Sequence, residues 1–149
     1  MGAKRAMTDP WPENATSGWF DGYDWVVRLN PDVLVRNDIW LRETMLTETV
    51  DLIAINYRHP RETWVALHTD FYAFRPEKMD ILALRNGLRL QPTAEQHMGA
   101  ASLPLRAANR IAWIPGAEHG QDARVIGQNS PVIHEHTYIK KCPNYYNAT

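Results

Sequence analysis

This sequence of 149 residues has little cysteine, almost no net charge and no long apolar run. Its single cysteine, Cys142, excludes an internal disulfide and any cysteine-rich zinc site. A net charge of −1 without a basic stripe argues against binding to nucleic acid or to anionic membranes. No apolar stretch approaches the ~20 residues that a transmembrane helix needs, so we expect no membrane span in this chain.

The composition that is present is that of a globular protein, with 44% hydrophobic and 22% charged residues. A chain of this length buries roughly 68–70% of the surface that its unfolded form exposes, which allows one hydrophobic core. Residues 1–22 are rich in Pro, Gly, Asn, Asp and Ser, and they are predicted to form an irregular N-terminal segment. We predict one domain over residues 23–141 and a short C-terminal tail over 142–149.

Strand and helix patterns alternate along the predicted domain. The run over residues 23–29 has the composition of a buried strand, interrupted only by Arg28. Further apolar runs predict strands at residues 33–35, 50–57, 64–74, 111–114, 123–126 and 131–136. Because helical patterns separate several of these runs, the sequence predicts an α/β fold.

Three helices are predicted from their starting residues. Asp38 is the expected N-cap of a helix through about Glu48, and Pro76 can occupy the first turn of a second helix. Thr93 and Gln96 have the spacing of a capping box for a third helix over residues 94–101. In the first helix we expect one apolar stripe, made of Ile39, Leu41, Met45 and Leu46.

Two oxygen-bearing side chains follow the strand predicted at residues 23–29. Asn30 and Asp32 flank Pro31, and side chains two residues apart in a tight turn can both point at one ion. Mn²⁺ and Mg²⁺ prefer such oxygen ligands, and diphosphate oxygens can complete the coordination shell. Asn, Pro and Asp also favour turns, so the spacing leaves both a metal site and a structural turn open.

Two histidines lie in the last predicted strand. His134 and His136 share one face of that strand because side chains alternate with a period of two. Imidazole is a common ligand of Mn²⁺, so these histidines and the Asn-x-Asp turn could form a mixed nitrogen and oxygen site. The alternative is a pair of surface histidines on an edge strand.

Polar residues also interrupt the apolar run at 64–74. A charged residue such as Asp70, beside His68, costs free energy in a strand of this kind unless it is paired or faces a cleft. Asp70 is therefore either hydrogen-bonded within the protein or directed at a polar substrate, and both interpretations remain open.

Three further polar residues have both a structural and a functional interpretation. Glu95 and Gln96 open a helix, where a carboxylate is stabilised by the helix dipole or contacts sugar hydroxyl groups. Arg28 indicates an ion pair or a place near a phosphate group. Trp25, Trp40 and Trp64 lie in core-like runs and are predicted to be packing residues.

Taken together, four segments resemble glycosyltransferases of the GT-A fold. Residues 18–35, Gly-Trp-Phe-Asp-Gly-Tyr-Asp-Trp-Val-Val-Arg-Leu-Asn-Pro-Asp-Val-Leu-Val, are similar to the strand and Asp-x-Asp turn that hold Mn²⁺ against the donor diphosphate, with Asn30 replacing the first aspartate. Residues 68–74 resemble the strand that lines the acceptor side, and residues 94–96 the acidic helix start that reaches the donor sugar or the acceptor. Residues 126–134, followed by Lys140, resemble the strand whose histidine completes the metal site.

The resemblance implies a GT-A-like, Rossmann-like mixed sheet flanked by helices. It also implies a metal-dependent glycosyltransferase of the hexosyltransferase type, which moves a sugar from a nucleotide diphosphate donor to a glycan or another hydroxyl acceptor. The implied cofactor is Mn²⁺ or Mg²⁺. The roles carried over are metal binding for Asn30, Asp32, His134 and His136, catalysis for Asp70 and Glu95, and substrate binding for Arg28, His68, Gln96 and Lys140.

GT-A enzymes bind the nucleotide base with βα units that precede the Asp-x-Asp strand, whereas 22 residues precede that strand here. We therefore expect an incomplete domain. The family resemblance also implies the secretory pathway or Golgi lumen. The N-glycosylation patterns at residues 14–16 and 147–149 agree with this location.

Two other functions remain open at this point. The first is a non-catalytic carbohydrate-binding or interaction module with a degenerate GT-A fold, which the Asn30 replacement and the short N-terminal segment favour. The second is a metal-dependent hydrolase built from His68, Asp70, His134 and His136, which would require those four residues to converge without Asn30 and Asp32.

Overall fold

The computed structural model describes residues 20, 22–31, 33–57, 66–80, 93–116 and 130–134. Their strands are β1 (Val26–Leu29), β2 (Val33–Val35), β3 (Leu52–Tyr57), β4 (Ala66–Phe74), β5 (Ile111–Trp113) and β6 (Val132–His134). Their helices are α1 (Asp38–Leu46), α2 (Ala94–Ala101) and α3 (Leu103–Ala107), with a 3₁₀ turn at Pro76–Lys78. None of these helices is long and apolar enough to cross a membrane.

Four strands form a mixed open sheet in the order β1-β4-β3-β5, and β2 pairs with β6 in a separate antiparallel ribbon. Strand β4 runs antiparallel to both β1 and β3, while β5 runs parallel to β3. It follows that β1, β3 and β5 point in one direction, so their carboxyl ends lie at one edge of the sheet. The predicted α/β class and mixed sheet are confirmed for the described part of the chain.

The ladder between β3 and β4 is interrupted by a bulge. Ala54 pairs with Tyr72 and Asn56 pairs with Leu67, so a two-residue step on β3 faces a five-residue step on β4. The additional residues lie in the polar stretch 68–70 that interrupts the apolar run of β4. Bulges redirect side chains and are frequent beside functional sites. This one lies level with the carboxyl end of β1, where Leu29 pairs with Phe71.

Helices α2 and α3 cover one face of the sheet, and helix α1 and the β2–β6 ribbon cover the other. On the first face, Tyr72 and Phe74 pack against Met98 of α2 and Leu105 of α3. The second face holds the buried side chains of Ile53, Ile55, Phe71 and Ala73, with Leu41 of α1 and with Val33 and Val132 of the ribbon. The predicted arrangement of helices flanking a sheet is therefore correct, and Trp25 and Trp40 pack against the second face as expected.

A buried ion-pair network ties the amino ends of β3 and β5 together. Asp51 is 1% exposed, and its carboxylate accepts hydrogen bonds from Nε and Nη2 of Arg110 and lies 3.5 Å from Nε of Arg75. The backbone N–H of Asp51 donates to the carbonyl of Arg110 at 2.9 Å, and the backbone N–H of Arg75 donates to the carbonyl of Asp51 at 2.9 Å. We call Asp51, Arg75 and Arg110 the Asp51 network; its hydrogen bonds raise the pKa of Arg110.

Strand β1 differs from its prediction in length and burial. It begins at Val26 rather than at residue 23, and Val27 and Leu29 are 39% and 48% exposed. The prediction of a buried strand is therefore wrong for one of its faces. The physical reason is position: β1 is an edge strand of the described sheet, and an apolar composition does not reveal whether a strand has one neighbour or two.

The start of α1 also differs from its prediction. Asn37, not Asp38, is the N-cap, because its side-chain oxygen accepts a hydrogen bond from the backbone N–H of Trp40. Asp38 instead occupies the first turn, where its charge complements the helix dipole. The predicted apolar stripe is wrong at both ends, since Ile39 is 58% and Leu46 is 80% exposed.

The capping box of α2 is confirmed. The Thr93 hydroxyl accepts from the backbone N–H of Gln96, and the Gln96 side-chain oxygen accepts from the backbone N–H of Thr93, both at 3.3 Å. Pro76 begins a 3₁₀ turn that ends at Lys78, rather than the start of an α-helix. Trp64, the strand predicted at residues 123–126, most of the predicted N-terminal segment and the whole predicted tail lie outside the described residues.

Candidate functional site

A pair of hydrogen bonds joins the carboxyl end of β1 to the bulge of β4. The backbone N–H of Asn30 donates to the carbonyl of Asp70 at 2.8 Å, and Nδ2 of Asn30 donates to Oδ1 of Asp70. These residues are 40 positions apart in the chain. With Nδ2 directed at the carboxylate, the oxygen of the Asn30 amide is the atom that remains to accept a donor or to contact a cation.

His68 contacts Asp70 through one ring nitrogen. Its Nδ1 lies 3.3 Å from the backbone N of Asp70, which donates to it, and 3.4 Å from Oδ2 of Asp70. A neutral imidazole with an unprotonated Nδ1 makes the first contact, whereas a charged imidazole makes an ion pair through the second. Both side chains are largely buried, with 10% of His68 and 21% of Asp70 exposed.

Thr69 extends the bulge towards the amino end of α2. Its hydroxyl donates a hydrogen bond of 2.8 Å to Oε1 of Glu95, although the two residues are 26 positions apart. Glu95 lies in the first turn of α2, where the helix dipole also favours a negative charge. The bulge therefore reaches Asn30 on one side through Asp70 and Glu95 on the other side through Thr69.

The surroundings of Glu95 favour its ionised form. Burial alone would raise the pKa of the carboxyl, but hydrogen bonds from its own backbone N–H, from Thr69 and from Thr93 outweigh that effect. The charge of a protonated His68 acts in the same direction as these bonds. The pKa of Glu95 is consequently lower than its ordinary value of 4.5, and the side chain is a carboxylate at neutral pH.

Arg28 lies on the same face of β1 as Asn30, because the two are separated by one residue. Its guanidinium carbon is 5.8 Å from the centre of the Tyr72 ring, within range of a cation–π contact. Its Nη1 is buried and has no hydrogen-bond partner among the residues that the structure describes. That nitrogen retains the capacity to donate a hydrogen bond to an anionic ligand.

Gln96, which the resemblance assigned to substrate binding, is 7% exposed, and its side-chain oxygen is used by the capping box of α2. These contacts account for the residue structurally. The substrate-binding role of Gln96 therefore stays a prediction without support from its observed contacts.

The metal site expected from the sequence falls largely outside what the structure describes. Asp32, His136 and Lys140 are not among the described residues, and for His134 only the backbone is described. That backbone pairs with Val33, the residue that follows Asp32 in the sequence. Within the described ranges no three His, Cys, Asp or Glu side chains converge as a metal-binding group.

Five residues from three segments thus meet at one edge of the sheet, and we call them the site cluster: Asn30, His68, Thr69, Asp70 and Glu95. Four of them were predicted as site residues. Thr69 was missed, although its position between two polar residues in an apolar run was a usable signal. The cluster lies beyond the carboxyl end of β1, at the edge of the sheet to which the carboxyl ends of the parallel pair β3 and β5 also point, and open α/β sheets bind ligands outside the carboxyl ends of their parallel strands.

Comparison of the chain with protein-family models, with curated proteins and with solved structures gave no significant match.

Proposed function

We propose that the protein takes part in metal-dependent transfer of a sugar from a nucleotide diphosphate donor to a hydroxyl acceptor, with the site cluster as its binding and reaction centre. The proposal is supported chiefly by one observation: the bulge of β4 brings Asp70 to Asn30 and Thr69 to Glu95 at one edge of the sheet. The sequence resemblance independently implies that Asn30, Asp70 and Glu95 belong to one site.

The chemistry proposed for the cluster follows from its donors and acceptors. The acceptor hydroxyl oxygen forms a bond to the anomeric carbon of the sugar, and the bond from that carbon to the diphosphate breaks. If the configuration inverts, Asp70 takes the hydroxyl proton, and Nδ2 of Asn30 orients the carboxylate that does so. The buried Nη1 of Arg28 donates to a phosphate oxygen of the donor.

Asn30 and Asp32 would hold a divalent cation, with a histidine of the 134/136 pair, and the cation would neutralise charge on the leaving diphosphate. Among these four residues, only Asn30 is described with its side chain, and its amide oxygen fits the site. The metal assignment therefore depends on Asp32 and the two histidines, and experiments on those residues decide it.

One observation favours a second candidate, a carbohydrate-binding module without transferase activity. Asn30 and Asp70 hydrogen-bond to each other, so each already has a structural partner within the protein. An amide in place of the first aspartate of the turn also lowers the charge available to a metal ion. A module of this kind would retain the sugar-binding carboxylate of Glu95 and lose the donor site.

Thermal-shift measurements on the whole chain separate the two candidates. We expect Mn²⁺ alone to stabilise the protein, and one of a panel of nucleotide sugars to add a further shift only when Mn²⁺ is present. A donor at 100 times its Kd adds about 2.7 kcal/mol. Asp32→Ala should lose the response to Mn²⁺, and Asp70→Asn should lose the response to the donor. Glu77→Gln, on the exposed 3₁₀ turn, is the matched control and should retain both responses.

Two outcomes would contradict this assignment. If no nucleotide sugar shifts the melting temperature but free glycans do, the transferase proposal fails and the binding module is supported. If Asp32→Ala keeps the full response to Mn²⁺, the metal lies elsewhere and the proposed ligand set is wrong.

A further inference from the structure

We infer that Thr69 is a positioning residue that holds the Glu95 carboxylate as a fixed acceptor for a hydroxyl group of the ligand. The inference rests on the proposed function for the nature of that ligand, a sugar. It adds a residue that the resemblance did not assign, and it gives Glu95 a binding role in place of the catalytic role that the resemblance implied.

The hydroxyl of Thr69 makes a hydrogen bond between two elements of the fold. Threonine hydroxyl groups in proteins usually bond to nearby backbone atoms, but here the hydroxyl crosses from β4 to α2 and donates to Oε1 of Glu95 at 2.8 Å. Thr69 is 7% exposed, so its side chain cannot turn away to water. The register of the β4 bulge, where a two-residue step on β3 faces five residues of β4, is what brings it to the amino end of α2.

Glu95 keeps acceptor capacity after this bond is made. A carboxylate offers about four lone-pair sites, and the hydroxyl groups of Thr69 and Thr93 and the backbone N–H of Glu95 use three of them. No Lys or Arg side chain among the described residues is paired with Glu95, and the side chain is only half-buried. The carboxylate is therefore oriented and accessible, and its remaining acceptor site is complementary to an O–H donor of a polyhydroxylated ligand.

The charge state of Glu95 distinguishes binding from proton transfer. A general acid or base is most effective when its pKa lies near the working pH. The hydrogen bonds of Glu95 outweigh the effect of its burial and lower its pKa, which makes it a weak base and no proton donor at neutral pH. The titratable group facing it from β4 is His68, and Thr93 bonds to it from its own helix start.

The first test needs no ligand. In protein labelled with ¹³C at glutamate carboxyl groups, the pKa of Glu95 should rise in Thr69→Val, which removes the hydroxyl, and should return to the wild-type value in Thr69→Ser, which restores it. An unchanged pKa of Glu95 in a folded Thr69→Val variant would overturn the positioning role. Assignment of the signal comes from Glu95→Gln, which removes it.

A second measurement keeps this test decisive if Thr69→Val does not fold. In the wild-type protein the ¹³Cβ resonance of Thr69 should titrate with the same midpoint as the carboxyl of Glu95, and this titration should vanish in Glu95→Gln. A Thr69 resonance that is independent of the ionisation of Glu95 would contradict the hydrogen bond on which the inference depends.

The ligand role is tested with the nucleotide sugar that gives the largest thermal shift, or with free glucose, galactose and mannose if none does. Glu95→Gln and Thr69→Val should each weaken binding roughly tenfold or more, as expected for loss of a hydrogen bond to a charged group, and Thr69→Ser should restore it. If the wild type binds a sugar and Glu95→Gln binds it equally well, this inference fails while the proposed function stands. If the wild type binds none of these probes, the proposed function and the ligand role of Glu95 both fail.

Discussion

The two edges of the mixed sheet carry polar clusters of different kinds. At the amino ends of β3 and β5, the Asp51 network places one buried carboxylate between two arginines, which also donate to backbone carbonyls of Met45, Glu48 and Val50. At the carboxyl end of β1, the site cluster contains two carboxylates, which contact an amide, a hydroxyl and an imidazole.

The difference between the clusters supports a structural role for the Asp51 network and the proposed binding role for the site cluster. In the Asp51 network a nearly inaccessible charge is neutralised by charges from distant parts of the chain, so the network holds three segments together. In the site cluster an amide donates to the carboxylate of Asp70 and a hydroxyl donates to that of Glu95, and both side chains remain partly exposed.

The largest expected effect comes from breaking the Asp51 network. Asp51→Ala leaves Arg75 and Arg110 partly buried without their carboxylate, and we expect the free energy of unfolding to fall by about 3 kcal/mol. The matched variant at the other edge is Asp70→Asn, which keeps the size of the side chain and should cost about 1 kcal/mol. Urea unfolding of the two variants and the wild type gives both values.

Either of two results would contradict the different roles of the Asp51 network and the site cluster. A loss below ~0.5 kcal/mol for Asp51→Ala, the size expected for an exposed surface pair, would show that the network does not hold the sheet together. A loss for Asp70→Asn as large as that for Asp51→Ala would show that the site cluster is structural as well.

A smaller effect is expected from Tyr72, which lies beneath Arg28 in the core. Burial raises the pKa of Tyr72 to about 12, although the positive charge of Arg28 acts in the opposite direction. The folded state therefore holds the phenol proton more tightly than the unfolded state, where tyrosine titrates at 10.0. The stability gained in this way is complete below pH 10 and is lost as the pH rises to 12, by roughly 2–3 kcal/mol.

Tyr72→Phe isolates this contribution, because it removes the phenol and leaves the other alkaline titrations in place. Between pH 9 and pH 12, urea unfolding should show the wild type losing stability relative to the variant. If the free energies of unfolding of the two proteins changed with pH in parallel, the core around Tyr72 would admit water. That result would contradict the difference between a dry core and a partly exposed site cluster.

Local features of the fold could be predicted from the sequence, and long-range ones could not. The capping box of Thr93 and Gln96 depends on residues three positions apart, and it was predicted correctly. The Asp51 network was missed, because Asp51 and Arg110 are 59 positions apart and neither has a local signature. The choice of Asp38 over Asn37 as N-cap failed because both residue types are good caps and only the backbone course distinguishes them.

For the site, the sequence indicated which residues were anomalous but not how they are joined. Asp70 was identified because a charge in an apolar strand needs a partner, and the structure supplies Asn30 and His68 as partners. The bulge could not be predicted, because the apolar pattern of β4 continues on both sides of residues 68–70 and register is set by the neighbouring strand. Without knowledge of the bulge, the sequence does not indicate that Thr69 contacts Glu95.

The position of the ligand site is tested most directly by locating bound Mn²⁺ through its paramagnetic broadening of amide signals in a ¹H–¹⁵N spectrum. At a low substoichiometric amount of Mn²⁺, we expect the signals of Asn30 and Asp70 to lose most of their intensity, those of Thr69 and Glu95 to lose less, and that of Asp51 to remain. Broadening centred on the Asp51 network, or uniform weak broadening without a centre, would contradict the proposal that the carboxyl end of β1 forms the ligand site.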